Sequence, residues 1–321
     1  MNNTGNFSID LLIPTFNRSS LIRECLDSVL RAVKPDSLTW RVTVIDNNSR
    51  DDTAEAVRPF VEQNPERVRY LFEKRQGKST ALNSGISASD HEFIGMIDDD
   101  EHLDENWFSV AMESLADPQI DYIGGPYLPL WRAQRPDWLP TGREGVLGSD
   151  DPSLLPGSPV PFDGGNFFLR GGNAIIRRSV LERIGGYSEA LGPVGNDHGA
   201  CEDHEMYDRL VTSGVKGLFV PQLVVHHIVP PERVSRRYFR YWSLRRAESL
   251  ATMESWRRQN VVYVGRIPRY LIGSAIRALP GLVGSLRSSR RFGAELQWWD
   301  LAGFVYGAYL KPAVVREKKN G

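Results

Sequence analysis

Three adjacent carboxylates are the densest group of chemically active side chains in the sequence. Asp98, Asp99 and Asp100 directly follow the apolar run EFIGMI. Adjacent like charges repel one another, so this group is stable where a cation lies close to it. Carboxylate oxygens are ligands that Mg²⁺ and Mn²⁺ prefer, together with the phosphates of a substrate. The triplet therefore predicts a divalent-cation site, with a solvated acidic turn as the alternative.

Further polar residues lie where other apolar runs end or helices begin. Asp46 ends the run WRVTVID, where a carboxylate either accepts the N–H of a nucleotide base or closes an Asx turn. Lys78 begins the helical segment KSTALNSGISAS, and an ammonium group there suits phosphate. Glu202 and Asp203 begin a later helix, where one of them can act as a base or complement the helix dipole. His227 ends another apolar run and is either structural or a metal ligand.

The alternation of strand-like and helical segments in the first half explains how these residues can meet. Four apolar runs are interpreted as strands, at 7–13, 40–46, 68–72 and 92–98. Amphipathic segments separate them, which predicts a mostly parallel sheet with helices on both faces. Ligands of such sheets bind beyond the carboxyl ends of the strands. The polar residues at 15–17, 46–47 and 98–100 are therefore expected to share one edge.

The second half of the sequence begins with a long segment of different composition. Residues 126–172 are dense in proline, glycine and tryptophan, which predicts a long ordered loop. Trp131 and Trp138 of this loop either stack on a bound ligand or pack the loop onto the sheet. After His227 the chain is predicted to be helical, with breaks at Pro268 and Pro280.

Charge and cysteine content limit the function classes. The 321 residues carry a net charge of −1, which argues against nucleic-acid binding by bulk electrostatics. Only Cys25 and Cys201 are present, too few for a disulfide framework or a structural zinc site. Carboxylates beside Cys201 disfavour its thiolate, so a packing role is expected for it. No signal peptide or long apolar span is recognised, which predicts a cytoplasmic protein.

The near-neutral total hides a strong asymmetry between two parts of the chain. Residues 1–225 carry 21 Lys and Arg against 34 Asp and Glu, whereas residues 226–321 carry 18 against 6. The basic part alternates arginine with aromatic and apolar residues. It predicts peripheral contact with the cytoplasmic face of a membrane or with a lipid-linked ligand. Packing against the acidic part and a homodimer interface are the alternatives.

The ordered motifs together resemble the family 2 glycosyltransferases of the bacterial polysaccharide or glycoconjugate type, which have the GT-A fold. The motifs that carry the resemblance are IPTFNR (13–18), VIDNNSRDDT (44–53), QGKSTALNSGI (76–86), IDDDEHLDENW (97–107), GGNAIIRRSVLERIGGYSE (171–189), EDHEMYDRL (202–210) and HIVPPERVSRRYFRYW (227–242). The resemblance covers about residues 7–245. It implies a GT-A catalytic domain at 1–227, with a nucleotide-sugar half at about 1–125 and an acceptor half at about 126–227. Residues 228–321 would then be a basic, aromatic-rich helical C-terminal region.

The resemblance also implies a donor and roles for single residues. The donor would be a nucleoside diphosphate sugar, with a uridine diphosphate sugar expected first, used with Mg²⁺ or Mn²⁺. The residues on the donor side would be Thr15, Arg18, Asp46, Lys78, Asn83, Asp98 and Asp99. Asp100 would bind the metal as the last residue of the Asp-Xaa-Asp element, with His227 as a further ligand. Asp203 would be the catalytic base.

The chemistry implied is displacement of a diphosphate at an anomeric carbon. One base and no sugar-linked nucleophile predict inversion of the anomeric configuration. A retaining GT-A transferase is the first alternative. A sugar-1-phosphate nucleotidyltransferase is a second, but the segment after the first strand, PTFNRSS, lacks the glycine-rich loop expected for that class.

Overall fold

The structure is a computed structural model that describes residues 7–163, 167–195, 202–252, 261–283 and 288–310. The strands of these ranges are β1 (Ser8–Thr15), β2 (Thr39–Asp46), β3 (Val68–Phe72), β4 (Phe93–Ile97), β5 (Glu101–Leu103), β6 (Tyr122–Gly124), β7 (Tyr127–Trp131), β8 (Val160–Pro161), β9 (Asn173–Arg177), β10 (Gly217–Phe219), β11 (Val225–Val229), β12 (Tyr263–Val264) and β13 (Ile267–Pro268). The α-helices are α1 (Ser19–Arg31), α2 (Thr53–Gln63), α3 (Lys78–Ala88), α4 (Trp107–Leu115), α5 (Arg178–Ile184), α6 (Glu202–Thr212), α7 (Arg236–Thr252), α8 (Arg269–Ala278) and α9 (Ser289–Val305).

An eight-stranded sheet, in the order β3–β2–β1–β4–β9–β6–β10–β8, organises the first part of the chain. The pairs β1–β2, β1–β4, β2–β3 and β6–β10 are parallel. β9 and β8 run antiparallel to their neighbours. The mostly parallel sheet flanked by helices, with helices at the C-terminal end, is therefore confirmed.

Both faces of β1 are buried, which explains why most of its residues are apolar; the buried Asp10 is paired with Arg41. Ile9, Leu11 and Ile13 of β1 belong to one hydrophobic cluster, which includes side chains of α1, α2 and α4. Leu12 of the same strand belongs to a second cluster, with side chains of α3, α5 and α6. Successive side chains of a strand point to opposite faces, so each apolar residue of β1 finds a helix layer on its own side.

The described chain divides into two compact units. The first contains the residues up to Leu130 together with Pro152–Ile228, and the second contains Trp131–Asp151 together with the residues from Val229 onward. The first unit holds the large sheet. The predicted domain boundary after residue 227 stays a prediction, but the fold groups part of the 126–172 loop with the C-terminal helices.

The second unit has its own hydrophobic core. Trp138 packs edge-on against Phe239 and Phe292, with ring centroids 5.4 and 5.2 Å away. Leu139 and Leu147 of the same segment are buried in this cluster. Trp138 therefore packs within the second unit, whereas the packing role expected from the sequence was packing onto the sheet. None of the described helices is both long enough and apolar enough to cross a bilayer.

Candidate active site

The middle carboxylate of the triplet is held by the loop that follows β1. Thr15 Oγ1 donates to one oxygen of Asp99 at 2.7 Å, and the Arg18 guanidinium contacts the other at 2.6 Å. Asp99 is buried, and burial raises its pKa to about 6 although the charge of Arg18 opposes the shift. The charge of Asp99 in turn raises the pKa of Arg18, which therefore stays cationic. Thr15, Arg18 and Asp99, all predicted on the donor side, thus form one group.

Asp100 lies between Arg18 and His227. Its Oδ2 is 3.2 Å from Arg18 Nη1, and its Oδ1 is 3.7 Å from His227 Nε2. His227 is nearly buried and its ring stacks on Tyr127, with centroids 6.5 Å apart. The two residues predicted from the resemblance as metal ligands are therefore neighbours.

Lys78 is a partly buried cation with carboxylates from two parts of the chain around it. Its Nζ is 2.6 Å from Asp98 Oδ1 at the end of β4 and 3.8 Å from Glu202 Oε1 at the start of α6. Burial lowers its pKa, but the charges of Asp98, Asp203 and Glu202 more than offset that effect and raise it well above the ordinary value. Gly77, with φ of +138°, precedes Lys78 in a conformation that favours glycine. Lys78 therefore carries a fixed positive charge between the triplet and α6.

The predicted base, Asp203, lies against the backbone of Gly171. A methyl group at position 171 would overlap the Asp203 carboxylate. Asp203 Oδ1 is buried, and no described residue forms a hydrogen bond with it. Burial, and then the charge of Asp203, raise the pKa of the adjacent Glu202 to about 7, while Lys78 opposes the shift. A buried carboxylate oxygen without a donor can accept the proton of a hydroxyl group.

Glu101 is a site residue that the sequence analysis missed. It is fully buried, and its Oε2 accepts the backbone N–H of Asp98 at 2.8 Å. A methyl group at Gly172 would lie 2.5 Å from its Oε1 and 2.9 Å from the Tyr127 hydroxyl. Burial, together with the charges of Asp98 and Asp100, raises the pKa of Glu101 well above its ordinary value. Two features of the sequence could have identified Glu101. It is a fourth acidic residue directly after the triplet, and the pair Gly171–Gly172 occurs later in the chain.

Asp46 closes a turn at the end of β2. Its Oδ1 accepts the backbone N–H of Ser49 at 2.8 Å, and its Oδ2 accepts the Tyr70 hydroxyl at 2.7 Å. Asn48 and Asn17 have φ of 65° and 54°, a left-handed conformation that asparagine tolerates better than most residues. The backbone N–H of Asn17 donates to Ser49 Oγ at 2.9 Å, which joins this turn to the loop after β1. The Asx-turn alternative for Asp46 is present, and contact with a nucleotide base stays a prediction.

Asn83 binds the backbone after α5. Its side-chain amide donates to the Tyr187 carbonyl at 2.8 Å, and its oxygen accepts the Tyr187 N–H at 2.7 Å. In this structure Asn83 positions the chain that leads towards α6, and the predicted contact with the donor stays untested. Cys25 is buried in α1, and burial raises its pKa well above the ordinary value, which keeps the thiol unreactive. Cys201 lies outside the described residues.

The donor atoms near Asp100 fit a divalent cation that also binds the substrate. Among the described residues, no group of three or more His, Cys, Asp or Glu side chains is arranged to hold a metal. Asp100 and His227 supply one carboxylate and one imidazole, and both kinds of group are common metal ligands. Mg²⁺ is commonly bound through one or two carboxylates plus substrate phosphates. The residues therefore fit a cation whose remaining ligands come from a diphosphate and water.

The part of the chain that contains the triplet and most strands of the large sheet matches a known protein family. The model of glycosyl transferase family 2 matches residues 10–185. This range contains the Asp98–Asp100 triplet, Lys78 and the Gly171–Gly172 pair, and it ends before Asp203 and His227. It is more than half of the 321 residues.

Individual relatives extend the comparison. The succinoglycan biosynthesis protein ExoM of Rhizobium meliloti is 25% identical over 231 residues, which are 71% of this chain and 69% of ExoM. A Campylobacter jejuni enzyme named GalNAc(5)-diNAcBac-PP-undecaprenol beta-1,3-glucosyltransferase is 28% identical over 107 residues, 33% of each chain. The chain spans between 33% and 38% of the length of several further curated relatives.

A solved structure shares the fold over almost the whole chain. The mannosyltransferase PcManGT from Pyrobaculum calidifontis, solved in complex with GDP-Man and Mn²⁺, superposes with a TM-score of 0.60 at 21% identity. The superposition covers 94% of this chain and 87% of that protein. At this identity the likeness concerns the fold, and it agrees with the GT-A architecture expected from the motifs.

Proposed function

The chain belongs to glycosyl transferase family 2, and from this premise we propose that it transfers a sugar from a nucleoside diphosphate sugar to a hydroxyl group of a saccharide or lipid-linked acceptor. The names of two relatives support this acceptor class, since one refers to succinoglycan biosynthesis and the other to an undecaprenol-linked substrate. The donor class is supported by the fold neighbour, which was solved with GDP-Man. A uridine diphosphate sugar remains the first donor to test.

The observation that carries the proposal is the position of Lys78 between two carboxylate groups. Asp98 belongs to the triplet at the end of β4, whereas Glu202 is the neighbour of Asp203 at the start of α6. These groups are about a hundred residues apart in the sequence. A transferase of this kind needs neutralisation of the leaving diphosphate and a separate base for the acceptor, both at one reaction centre.

The proposed reaction is a single displacement. Asp203 removes the proton of the acceptor hydroxyl while the hydroxyl oxygen forms a bond to the anomeric carbon. The bond from that carbon to the diphosphate breaks, and the diphosphate leaves with the electron pair. Attack from the face opposite the leaving group inverts the configuration. The buried Asp203 Oδ1, which accepts no hydrogen bond from a described residue, supports the assignment of the base.

The donor-side residues are assigned by the groups that they can reach. Asp46 would accept the N–H of the nucleotide base, and Asp98 would bind ribose or sugar hydroxyls. Arg18, whose side chain is 41% exposed, would contact the diphosphate while Thr15 and Arg18 together fix Asp99. When bound by Asp100 and His227, a divalent cation supplies positive charge to the leaving diphosphate. Lys78 holds Asp98 in place and adds a second fixed positive charge.

Replacement of Asp203 by asparagine tests the proposal. Asp203→Asn keeps the shape of the side chain but removes its basicity, so we expect turnover to fall by roughly 10²- to 10⁴-fold with unchanged donor binding. Asp208→Asn, an exposed position on the same helix, is the matched control. The assay screens nucleotide sugars with Mg²⁺, with Mn²⁺ and in excess chelator, and NMR of the product gives the anomeric configuration. Normal turnover of Asp203→Asn would refute the base assignment, and a product with the configuration of the donor would support a retaining transferase.

The remaining assignments are part of the same proposal. We keep the catalytic domain at 1–227 and the helical region at 228–321 as predicted domains. A cytoplasmic location, with or without contact at the membrane surface, also stays a prediction, as does a homodimer.

A further inference from the structure

One surface of the second unit combines exposed apolar side chains with arginines. It comprises the β12–β13 hairpin, α8, the turn that follows α8 and the first residue pair of α9, and we call it the α8 surface. Its exposed apolar residues are Val262, Val264, Tyr270, Ile276, Leu279 and Val283. Val283 is 84% exposed and Val262 is 64% exposed. Large apolar residues exposed singly are ordinary, but four of these residues, Val262, Val264, Tyr270 and Ile276, line one groove, and such a group marks an interaction site.

The sequence of α8 shows that this exposure is systematic. Four exposed positions of α8 form two pairs of neighbours, Arg269 with Tyr270 and Ile276 with Arg277. The pairs are seven residues apart along the helix, so they lie on one face. Ala275 of α8 is buried on the opposite side. The outward face of a helix in water normally carries charges of both signs. Here the outward face carries two arginines, a tyrosine and an isoleucine, with no carboxylate.

The arginines of this surface have no acidic partner within the described ranges. Residues 261–283 contain three arginines and no Asp or Glu. Among the residues that the structure describes, these three arginines and Arg290 at the start of α9 form no ion pair with any carboxylate. The side chain of Arg277 donates to Ser274 Oγ at 3.3 Å, one turn back along the same helix. No carboxylate of the described residues therefore neutralises these charges.

A groove runs between the hairpin and α8. It has a volume of about 680 Å³. The residues that line it include Val262, Val264, Tyr270 and Ile276, with Arg269 and Arg277 beside them. Apolar side chains with arginines beside them match the boundary between the headgroups and the acyl chains of a bilayer, where aromatic and aliphatic groups enter the apolar layer and guanidinium groups meet phosphates.

We propose that the α8 surface docks the protein onto a bilayer containing anionic lipids. Charge complementarity selects this occupant. A second copy of the chain, docked face to face, would bring arginines against arginines. An acidic protein segment would neutralise the arginines, but its charged side chains would not bury the exposed apolar side chains. The proposal is independent of the transfer chemistry, because lipid binding is measured without donor or acceptor.

Co-sedimentation of the full chain with vesicles tests the docking. The vesicles are pure phosphatidylcholine or phosphatidylcholine with phosphatidylglycerol, each at low and high salt. We expect the protein to sediment with the anionic vesicles at low salt, and binding to weaken as salt rises. Each basic residue near an anionic surface raises the partition coefficient onto the membrane about fivefold. The double variant Arg269→Gln with Arg277→Gln should therefore weaken binding about thirtyfold. Tyr270→Ser with Ile276→Ser should also weaken it, because those side chains enter the acyl boundary.

Matched controls come from the first unit. Arg23→Gln with Arg31→Gln removes two exposed arginines that are also eight residues apart on one helix, α1. Phe72→Ser with Leu154→Ser removes two exposed apolar side chains. Both control pairs should bind vesicles like the unmodified protein. Circular dichroism and nucleotide-sugar binding show whether each variant is folded.

Four results would overturn the proposal. They are absence of binding at low salt, equal binding to neutral vesicles, equal loss in the control pairs, and unchanged binding of the α8 variants. Light scattering tests the alternative occupant. If the unmodified protein is a dimer and the double variant Arg269→Gln with Arg277→Gln is a monomer, this surface binds a second copy instead.

Discussion

At the scale of single residues, the Gly171–Gly172 pair determines how closely two carboxylates approach the backbone. Asp203 lies against Gly171, and Glu101 lies against Gly172. Glu101 in turn accepts the backbone N–H of Asp98, so the second glycine contributes to the position of the triplet. The pair therefore positions the proposed base on one side and the acidic triplet on the other.

Replacement of Gly171 by alanine should impair transfer more than it impairs folding. The added methyl group would overlap the Asp203 carboxylate and displace it, and a shift of about 1 Å at a reacting group lowers the rate by about 10²-fold. Overpacking of this kind costs about 1–3 kcal/mol of unfolding free energy. Gly157→Ala is the control, because a methyl group there meets nothing within 4 Å. Turnover and thermal unfolding are measured for both variants, and equal turnover in the two would contradict the positioning role.

The residue types at the site could be predicted, but their partners could not. Asp98, Asp100, Lys78 and Asp203 were found because acidic and basic residues at strand ends and helix starts are visible in the sequence. That Lys78 lies between Asp98 and Glu202 depends on how α3, β4 and α6 pack together. Glu101 was missed because an acidic residue after three others suggests a solvated turn, whereas this one is fully buried.

At the scale of elements, continuous apolar runs predicted the parallel part of the sheet. The runs at 7–13, 40–46 and 68–72 correspond to β1, β2 and β3. Strands of parallel sheets are mostly apolar, although Asp10, Arg41 and Arg69 interrupt these runs. The antiparallel insertion of β9 between β4 and β6 was not predicted. A five-residue run such as NAIIR indicates a strand, but its pairing partners are set by tertiary packing and not by its own periodicity.

The packing of Trp138 in the second unit provides a test of the two roles offered for it. Trp138→Ala should lower the unfolding free energy by about 2–4 kcal/mol, because the indole packs against Phe239 and Phe292 in the core of the second unit. Trp298→Ala, at an exposed position on α9, should change stability much less. Thermal unfolding and the KM for the acceptor are measured for both variants. A raised acceptor KM with unchanged stability would restore the stacking hypothesis.

At the scale of the whole molecule, the two compact units do not coincide with the acidic and basic parts of the sequence. The acidic and basic parts meet near residue 226, which suggested one boundary along the sequence. The fold instead groups Trp131–Asp151 with the C-terminal helices. Composition identified this segment as an ordered loop, but which core receives its apolar residues depends on packing between segments that are about a hundred residues apart. The boundary after residue 227 therefore stays a prediction, and the grouping of Trp131–Asp151 with the C-terminal helices was not predicted.

This grouping predicts the behaviour of a truncated chain. Residues 1–228 alone would keep Leu139, Val146 and Leu147 but lose Phe239, Phe292 and Leu296, which form the rest of their cluster. Exposed apolar groups of this size promote association, so this fragment should aggregate. The same fragment with residues 132–150 replaced by a glycine-serine linker of equal length should stay monomeric and unfold in one thermal transition. Light scattering and calorimetry compare the two fragments. If the fragment with the native segment is as monomeric as the linker fragment, then residues 131–151 do not need the C-terminal helices, and the predicted boundary after residue 227 describes the chain better.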